Sequence, residues 1–148
     1  MNTMMDKIHC LQREDFPMCW KIDTSLQEKS RYVIDSIVYD FSQIAKEEDD
    51  IFGFIIIDNT HIPSYIMHDI EDQIDGVKIN GVPSYHICSL YDKDDKGLLM
   101  ILFYEVVRRL PDDSYLWIDS PNEKQRDYIS MLGEFCNPYG NLFILLNP

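Results

Sequence analysis

Residues 86–102, H-I-C-S-L-Y-D-K-D-D-K-G-L-L-M-I-L, and residues 115–135, Y-L-W-I-D-S-P-N-E-K-Q-R-D-Y-I-S-M-L-G-E-F, decide how this chain folds. The first passage begins inside a strand-forming run, Val82 to Tyr91, that follows the turn residues Gly76, Asn80 and Gly81. Gly97 to Leu110 is apolar nearly all round, which suits a helix packed on a sheet with little exposure. Asp94 and Asp95 fall where that helix begins and Arg108 and Arg109 where it ends, matching the two poles of the backbone dipole. Pro111 stops it. In the second passage Tyr115 to Asp119 reads as a short strand. Ser120-Pro121-Asn122-Glu123 then supplies an N-cap, a first-turn proline and a capping-box glutamate. The helix so announced carries Tyr128, Ile129 and Leu132 and meets Gly133 as a C-cap, and Asn141 to Leu146 forms the last strand. Two successive strand–helix–strand passages with short connections imply neighbouring strands joined by right-handed crossovers.

Upstream, Ile51 to Asp58 (I-F-G-F-I-I-I-D) is β-branched and aromatic, too short for a typical helix, and ends at the turn-prone pair Asp58-Asn59. It is expected near the sheet centre. The following stretch fits either a hairpin partner at His61 to Met67 or a helix from Ser64 to Ile74. Before the strand, Ser25 and Glu28 have capping-box spacing, and Val33, Ile34, Ile37, Val38, Phe41 and Ile44 recur at helical intervals. These predict a helix from Leu26 to Glu47, with the acidic run Glu47 to Asp50 marking its exit. The first 22 residues are ambiguous, with a possible strand at Lys7 to Gln12 and an irregular stretch around Pro17.

Composition bounds the function. A 148-residue chain with 45% hydrophobic residues and no Gly/Ser or Pro-rich linker is expected to form one domain with one core, residues 1–148. Its 26 acidic against 13 basic residues give a formal charge of -13, which repels phosphate backbones and argues against a nucleic-acid partner. The same field attracts cationic small molecules and basic proteins. Four cysteines without C-x-x-C spacing point to reduced thiols. The N-terminus lacks a signal-peptide pattern and no apolar run approaches a membrane span, so cytoplasmic residence is expected.

The two passages together resemble the second half of the GNAT superfamily of N-acetyltransferases: a strand, a Gly-containing turn, a long helix, a strand, then an Asn-led helix with a tyrosine that closes in Leu-Gly-Phe. Asn122, Tyr128, Leu132, Gly133 and Phe135 stand in that order, and the resemblance covers about residues 82–148. It implies an α/β fold, a single domain with a mixed, mostly central sheet and helices on both faces. It also implies transfer of an acetyl group from acetyl-CoA to an amine. Under that resemblance Tyr128 is the acid that meets the departing thiolate, and His86 or Asp119 is the base. Backbone groups of Leu90 and Tyr91 pair with the pantetheine arm, Gly97 and Leu98 face the pyrophosphate, and Asn122 lies beside the arm. The sequence departs from the family in three places. Of the loop [Q/R]-x-x-G-x-[G/A], only Gly97 survives in Asp94-Asp95-Lys96-Gly97-Leu98-Leu99; Tyr128 comes one residue early; and Glu134 is inserted before Phe135. Acidic residues and bulk oppose an anion held by backbone amides, so an inactive homologue is also consistent.

Each candidate has a plainer account: a core tyrosine for Tyr128, a helix-start residue for Asn122 and Gly97, a half-buried strand residue for His86. His61 and His68 are seven residues apart, too far along a helix to share one zinc, and no metal site is expected. Cys88 shares a strand face with His86, but a buried inert cysteine explains it better than a nucleophile. The alternative to the transferase is a small acidic binding protein that neutralises a basic partner, as toxin-immunity proteins do. It would present its carboxylates together with aromatic anchors such as Trp20, Trp117 or Tyr139.

Overall fold

The computed structural model of the chain describes residues 8–24, 26–27, 41–47, 50–59, 62, 64–66, 68, 84–93, 97–131, 133 and 135–146. The chain divides into two compact units, Met1–Asp58 with Cys88–Arg109, and Asn59–Ile87 with Leu110–Pro148.

The first unit contains β1 (Ile8–Cys10), α1 (Phe16–Ile22), β2 (Phe41–Glu47), β3 (Asp50–Asn59, all but its last residue), the C-terminal half of β4 (Ser84–Asp92), and α2 (Leu98–Arg109). β1 and β2 pair antiparallel, as do β2 and β3, and β4 follows β3 in the sheet. Phe54, Ile55, Ile56 and Ile57 are all fully buried, so both faces of β3 are covered. On one face Phe54 and Ile56 join Phe16, Cys19, Leu26 and Cys88 in a cluster closed by α1. On the other, α2 lies so close that a Cβ on Gly53 would stand 2.6 Å from the Leu98 side chain and 2.6 Å from the Tyr91 carbonyl oxygen. The missing side chain at Gly53 is what lets helix and neighbouring strand approach here.

Three expectations are corrected in this unit. Phe41 to Glu47, read as the end of a long helix, is strand β2; residues 26–27 are helical, and 28–40 lie outside the described residues. The long apolar β3 offers an antiparallel partner, and pairing with it overrides a local 3.6-residue period that Phe41 and Ile44 satisfy only weakly. Glu47 and Asp50, taken as a helix exit, instead pair across the two strands. The stretch around Pro17 is not irregular. It is helix α1 with Pro17 in its first turn, where a proline removes no hydrogen bond. Ahead of it the Gln12 backbone N–H donates to Asp15 Oδ2 at 3.0 Å, and Lys46 pairs with Asp15 at 3.2 Å. β1 confirms a strand inside Lys7 to Gln12.

The second unit holds the N-terminal half of β4, then β5 (Tyr115–Ile118), α3 (Glu123–Ser130), β6 (Phe135–Cys136) and β7 (Leu142–Leu145). β4 and β5 run parallel, β7 lies antiparallel to β5, and β6 pairs antiparallel with β7 at the edge. With β4 continuing from one unit into the other, the strand order is β1-β2-β3-β4-β5-β7-β6, a mixed α/β sheet. Residues 64–66 are helical, favouring the helix over the hairpin for the start of that stretch, and Ile62 and Ile66 pack with Tyr115, Trp117, Cys136 and Phe143. α3 starts two residues later than the sequence suggested. Asn122, not Ser120, is its N-cap, accepting from the Gln125 N–H at 2.8 Å while the Gln125 side chain accepts from the Asn122 N–H at 2.9 Å. Ser120 instead takes a left-handed turn with φ 40°. The C-cap is Met131 and not Gly133. β6 was not anticipated, because two residues carry no periodicity.

Candidate functional site

The parallel pairing of β4 with β5 is short. It joins Ser84 to Tyr115, Tyr85 to Leu116 and His86 to Trp117, although β4 runs on to Asp92 and β5 to Ile118. At the last pair the second unit assembles a polar cluster. His86 Nε2 lies 3.0 Å from Asp119 Oδ2, with the imidazole side chain 13% exposed and the carboxylate 49%. The His86 ring rests on the Trp117 indole with centroids 4.3 Å apart, and Trp117 in turn stacks on Phe143 at 5.2 Å. The indole holds the imidazole on one face, and the carboxylate holds it at Nε2. A carboxylate accepts only, so Nε2 is the donor in this contact. Asp119 follows directly on the carboxyl end of β5, while His86 stands near the amino end of β4.

Sequence reasoning offered His86 and Asp119 as alternative bases. The structure brings them together as one hydrogen-bonded pair. The strand register does this: His86 sits opposite Trp117, and two residues further along β5's direction the chain presents Asp119 as it leaves the strand. Trp117, named earlier as a surface anchor, is buried and serves as the platform instead. Trp20 is half-buried against the first unit's core, while Tyr139 is exposed in a turn with φ 56° and meets Tyr65 edge-on at 5.3 Å.

The first unit places the residues assigned to a cofactor. Leu90 and Tyr91 occupy the second half of β4, half-exposed, with Tyr91 against Phe54 at 5.5 Å between ring centroids. The Lys93 N–H donates to the Phe52 carbonyl at 2.7 Å, tying the strand end to β3. Gly97 has φ 81° and open space around its α-carbon, and Leu98 and Leu99, both buried, begin α2. Residues 94–96 lie outside the described residues. The Leu99 N–H, one of the amides that a helix start leaves without an intrahelical acceptor, points to Asp92 Oδ2 at 3.4 Å.

Two further polar contacts in this unit escaped the sequence. Ser89 Oγ donates to Asp23 Oδ2 at 2.5 Å, and Cys88 Sγ donates to Asp58 Oδ2 at 3.5 Å. Neither Asp23 nor Asp58 carries a local signal, because each meets its partner across more than 29 residues of chain. Asn122 and Tyr128 belong to α3. Asn122 is exposed with its oxygen committed to the helix cap, and Tyr128 is half-buried near the helix end.

No protein-family profile and no curated protein matches this sequence. Solved structures do. A Staphylococcus aureus Mu50 protein assigned as an acetyltransferase superposes with a TM-score of 0.59 at 20% identity, over 93% of this chain and 97% of that one. A ribosomal-protein-alanine N-acetyltransferase from Brucella melitensis gives 0.58 at 13% identity over 94% and 99%. A structure from Corynebacterium glutamicum, described as histone acetyltransferase HPA2 and related acetyltransferase, gives 0.56 at 11% identity over 95% and 96%. The fold is therefore GNAT-like over nearly the whole chain, and at these identities the likeness establishes architecture alone.

Proposed function

We propose that this chain is a GNAT-like N-acyltransferase that moves an acetyl group from acetyl-CoA to an amine, with His86 as base and Asp119 as its orienting partner. The observation that carries the reading is the His86–Asp119 pair at the point where β4 and β5 stop pairing. An amine arrives at neutral pH mostly as an ammonium ion and attacks only after losing a proton. His86 accepts that proton, and the Asp119 carboxylate hydrogen-bonded to it stabilises the imidazolium that results. Trp117 limits rotation of the ring, so the base stays aimed without further loss of side-chain freedom.

Acetyl-CoA, when bound, supplies the activated thioester. For such a ligand the candidates are the backbone groups of Leu90 and Tyr91 on β4 and the amides at the start of α2, with Gly97 adding no bulk at the turn. Tyr128 is the candidate acid for the departing thiolate, and Asn122 keeps only its amide nitrogen for a ligand once its oxygen caps α3. The acceptor is proposed to be cationic, on the strength of the -13 charge.

The test is calorimetric titration with acetyl-CoA followed by a thiol-release assay against a panel of primary amines and polyamines. Micromolar binding and amine-dependent thiol release are expected. No heat at millimolar acetyl-CoA together with no thiol release removes the proposal. A second reading, an acidic protein that binds a basic partner, is favoured by the exposed tyrosines Tyr65 and Tyr139, 60% and 65% accessible on a chain of this charge. Absence of acetyl-CoA binding combined with salt-sensitive capture of a basic protein would favour it.

A further inference from the structure

The start of α2 already holds an anion, and that anion belongs to the chain itself. α2 is twelve residues long, so its first amides lie at the positive end of a full helix dipole. Of those amides, the Met100 N–H donates to the Gly97 carbonyl at 3.1 Å and the Leu99 N–H to the Asp92 carboxylate at 3.4 Å. Leu98 and Leu99 are buried, so the carboxylate, and not bulk water, answers the Leu99 amide. Asp92 is the last residue of β4, and the next residue is fastened to β3 through the Lys93–Phe52 hydrogen bond, which holds the carboxylate at the helix start.

We propose that Asp92 is a built-in competitor of the acyl donor. Its carboxylate takes the Leu99 amide, one of the α2-start amides proposed above for the donor's pyrophosphate, so the donor reaches that amide only by displacing it and against its charge. This rests on the acyltransferase reading above. Two consequences follow from the chemistry. A ligand with a pyrophosphate meets like-charge repulsion at this corner, whereas a pantetheine arm alone does not. Neutralising Asp92 therefore strengthens binding of the whole donor and leaves the arm unaffected.

The experiment titrates the full chain calorimetrically with coenzyme A and, separately, with pantetheine, which lacks the diphosphate and nucleotide. The variants are Asp92→Asn, Asp92→Ser and, as a charge-matched control on the exposed face of α3, Asp127→Asn. Circular dichroism selects whichever Asp92 variant keeps the native fold. The expected result is about tenfold tighter coenzyme A binding in the Asp92 variant, with pantetheine unchanged there and both ligands within about twofold of the parent in Asp127→Asn. Equal or weaker coenzyme A binding after loss of Asp92, while the parent chain binds it, overturns the competitor role and leaves the acyltransferase reading standing. An equal gain in Asp127→Asn also overturns it, because general charge would then be the cause. Binding by no protein at millimolar coenzyme A overturns both.

Discussion

His86 shows how much a single side chain depends on its two neighbours. Alone on a strand it is an ordinary half-buried imidazole; packed on Trp117 at a tilt and bonded to Asp119, its ring is held on two sides. The role proposed for it predicts different outcomes for the two partners. His86→Asn removes the proton acceptor and is expected to lower kcat by about 100-fold or more, with the KM for acetyl-CoA little changed. Asp119→Asn keeps the acceptor but loses the charge that orients and supports it, so a smaller fall in kcat of about 10- to 100-fold is expected. Steady-state kinetics on both variants check this, and equal activity of His86→Asn and the parent would remove His86 from the mechanism. At this scale the sequence offered residue types and order. It named both His86 and Asp119 without showing that they touch, and it gave no sign of Asp92, whose partner is decided by where a helix happens to start.

Among the elements, α3 and β3 show local and long-range control side by side. α3 begins where Asn122 and Gln125 exchange hydrogen bonds, a reciprocal cap contained in four consecutive residues that the sequence reading set two residues early, at Ser120. Asn122→Ala is expected to cost about 1 kcal/mol of stability, read by chemical denaturation. A drop in acetyl-CoA affinity beyond that loss would mark Asn122 as a ligand contact as well. β3 depends on a contact that no local pattern announces. A methyl group at Gly53 would collide with the Tyr91 carbonyl and the Leu98 side chain. Gly53→Ala is thus expected to destabilise the fold by about 1–3 kcal/mol, and to disturb the strand end and helix start proposed for the cofactor. Denaturation midpoints together with acetyl-CoA titration measure both effects. The failure at Phe41 to Glu47 has the same origin: a stretch with a weak helical period became a strand because β3 was beside it to pair with.

For the molecule as a whole, the charge of -13 and the reduced thiols set the response to solvent. If the acceptor is a cationic amine, its KM is expected to rise several-fold between low salt and about 0.5 M salt, while that of a neutral amine stays flat, since screening acts only on the charged one. Burial pushes the Cys19 thiol up to about 12, with the nearby Asp15 charge adding to the effect, and burial alone pushes Cys136 up to about 11, against 9.0 for a free thiol. A raised value in the folded state means the protonated thiol is favoured there. Its contribution to stability is complete below pH 9 and is lost as pH climbs through the folded values. The Tm difference between the parent and a Cys19→Ala or Cys136→Ala variant is therefore expected to shrink above pH 9, which scanning fluorimetry across pH 8 to 11 will show.

The sequence by itself determined the elements whose signals are short-range: β3, β4, α2, β5 and α3 fall within a few residues of their predicted positions, because apolar runs, end charges and caps act over a turn or two of chain. It also determined the acidic character of the surface and the order of elements that pointed to a GNAT-like fold. Only the tertiary structure decided that Phe41 to Glu47 pairs with β3, that β4 and β5 part after His86, and that Asp92 sits on the first turn of α2. Those facts depend on backbone hydrogen bonds and close approaches between residues far apart in the chain, and no local pattern of side chains encodes which distant partner each will meet.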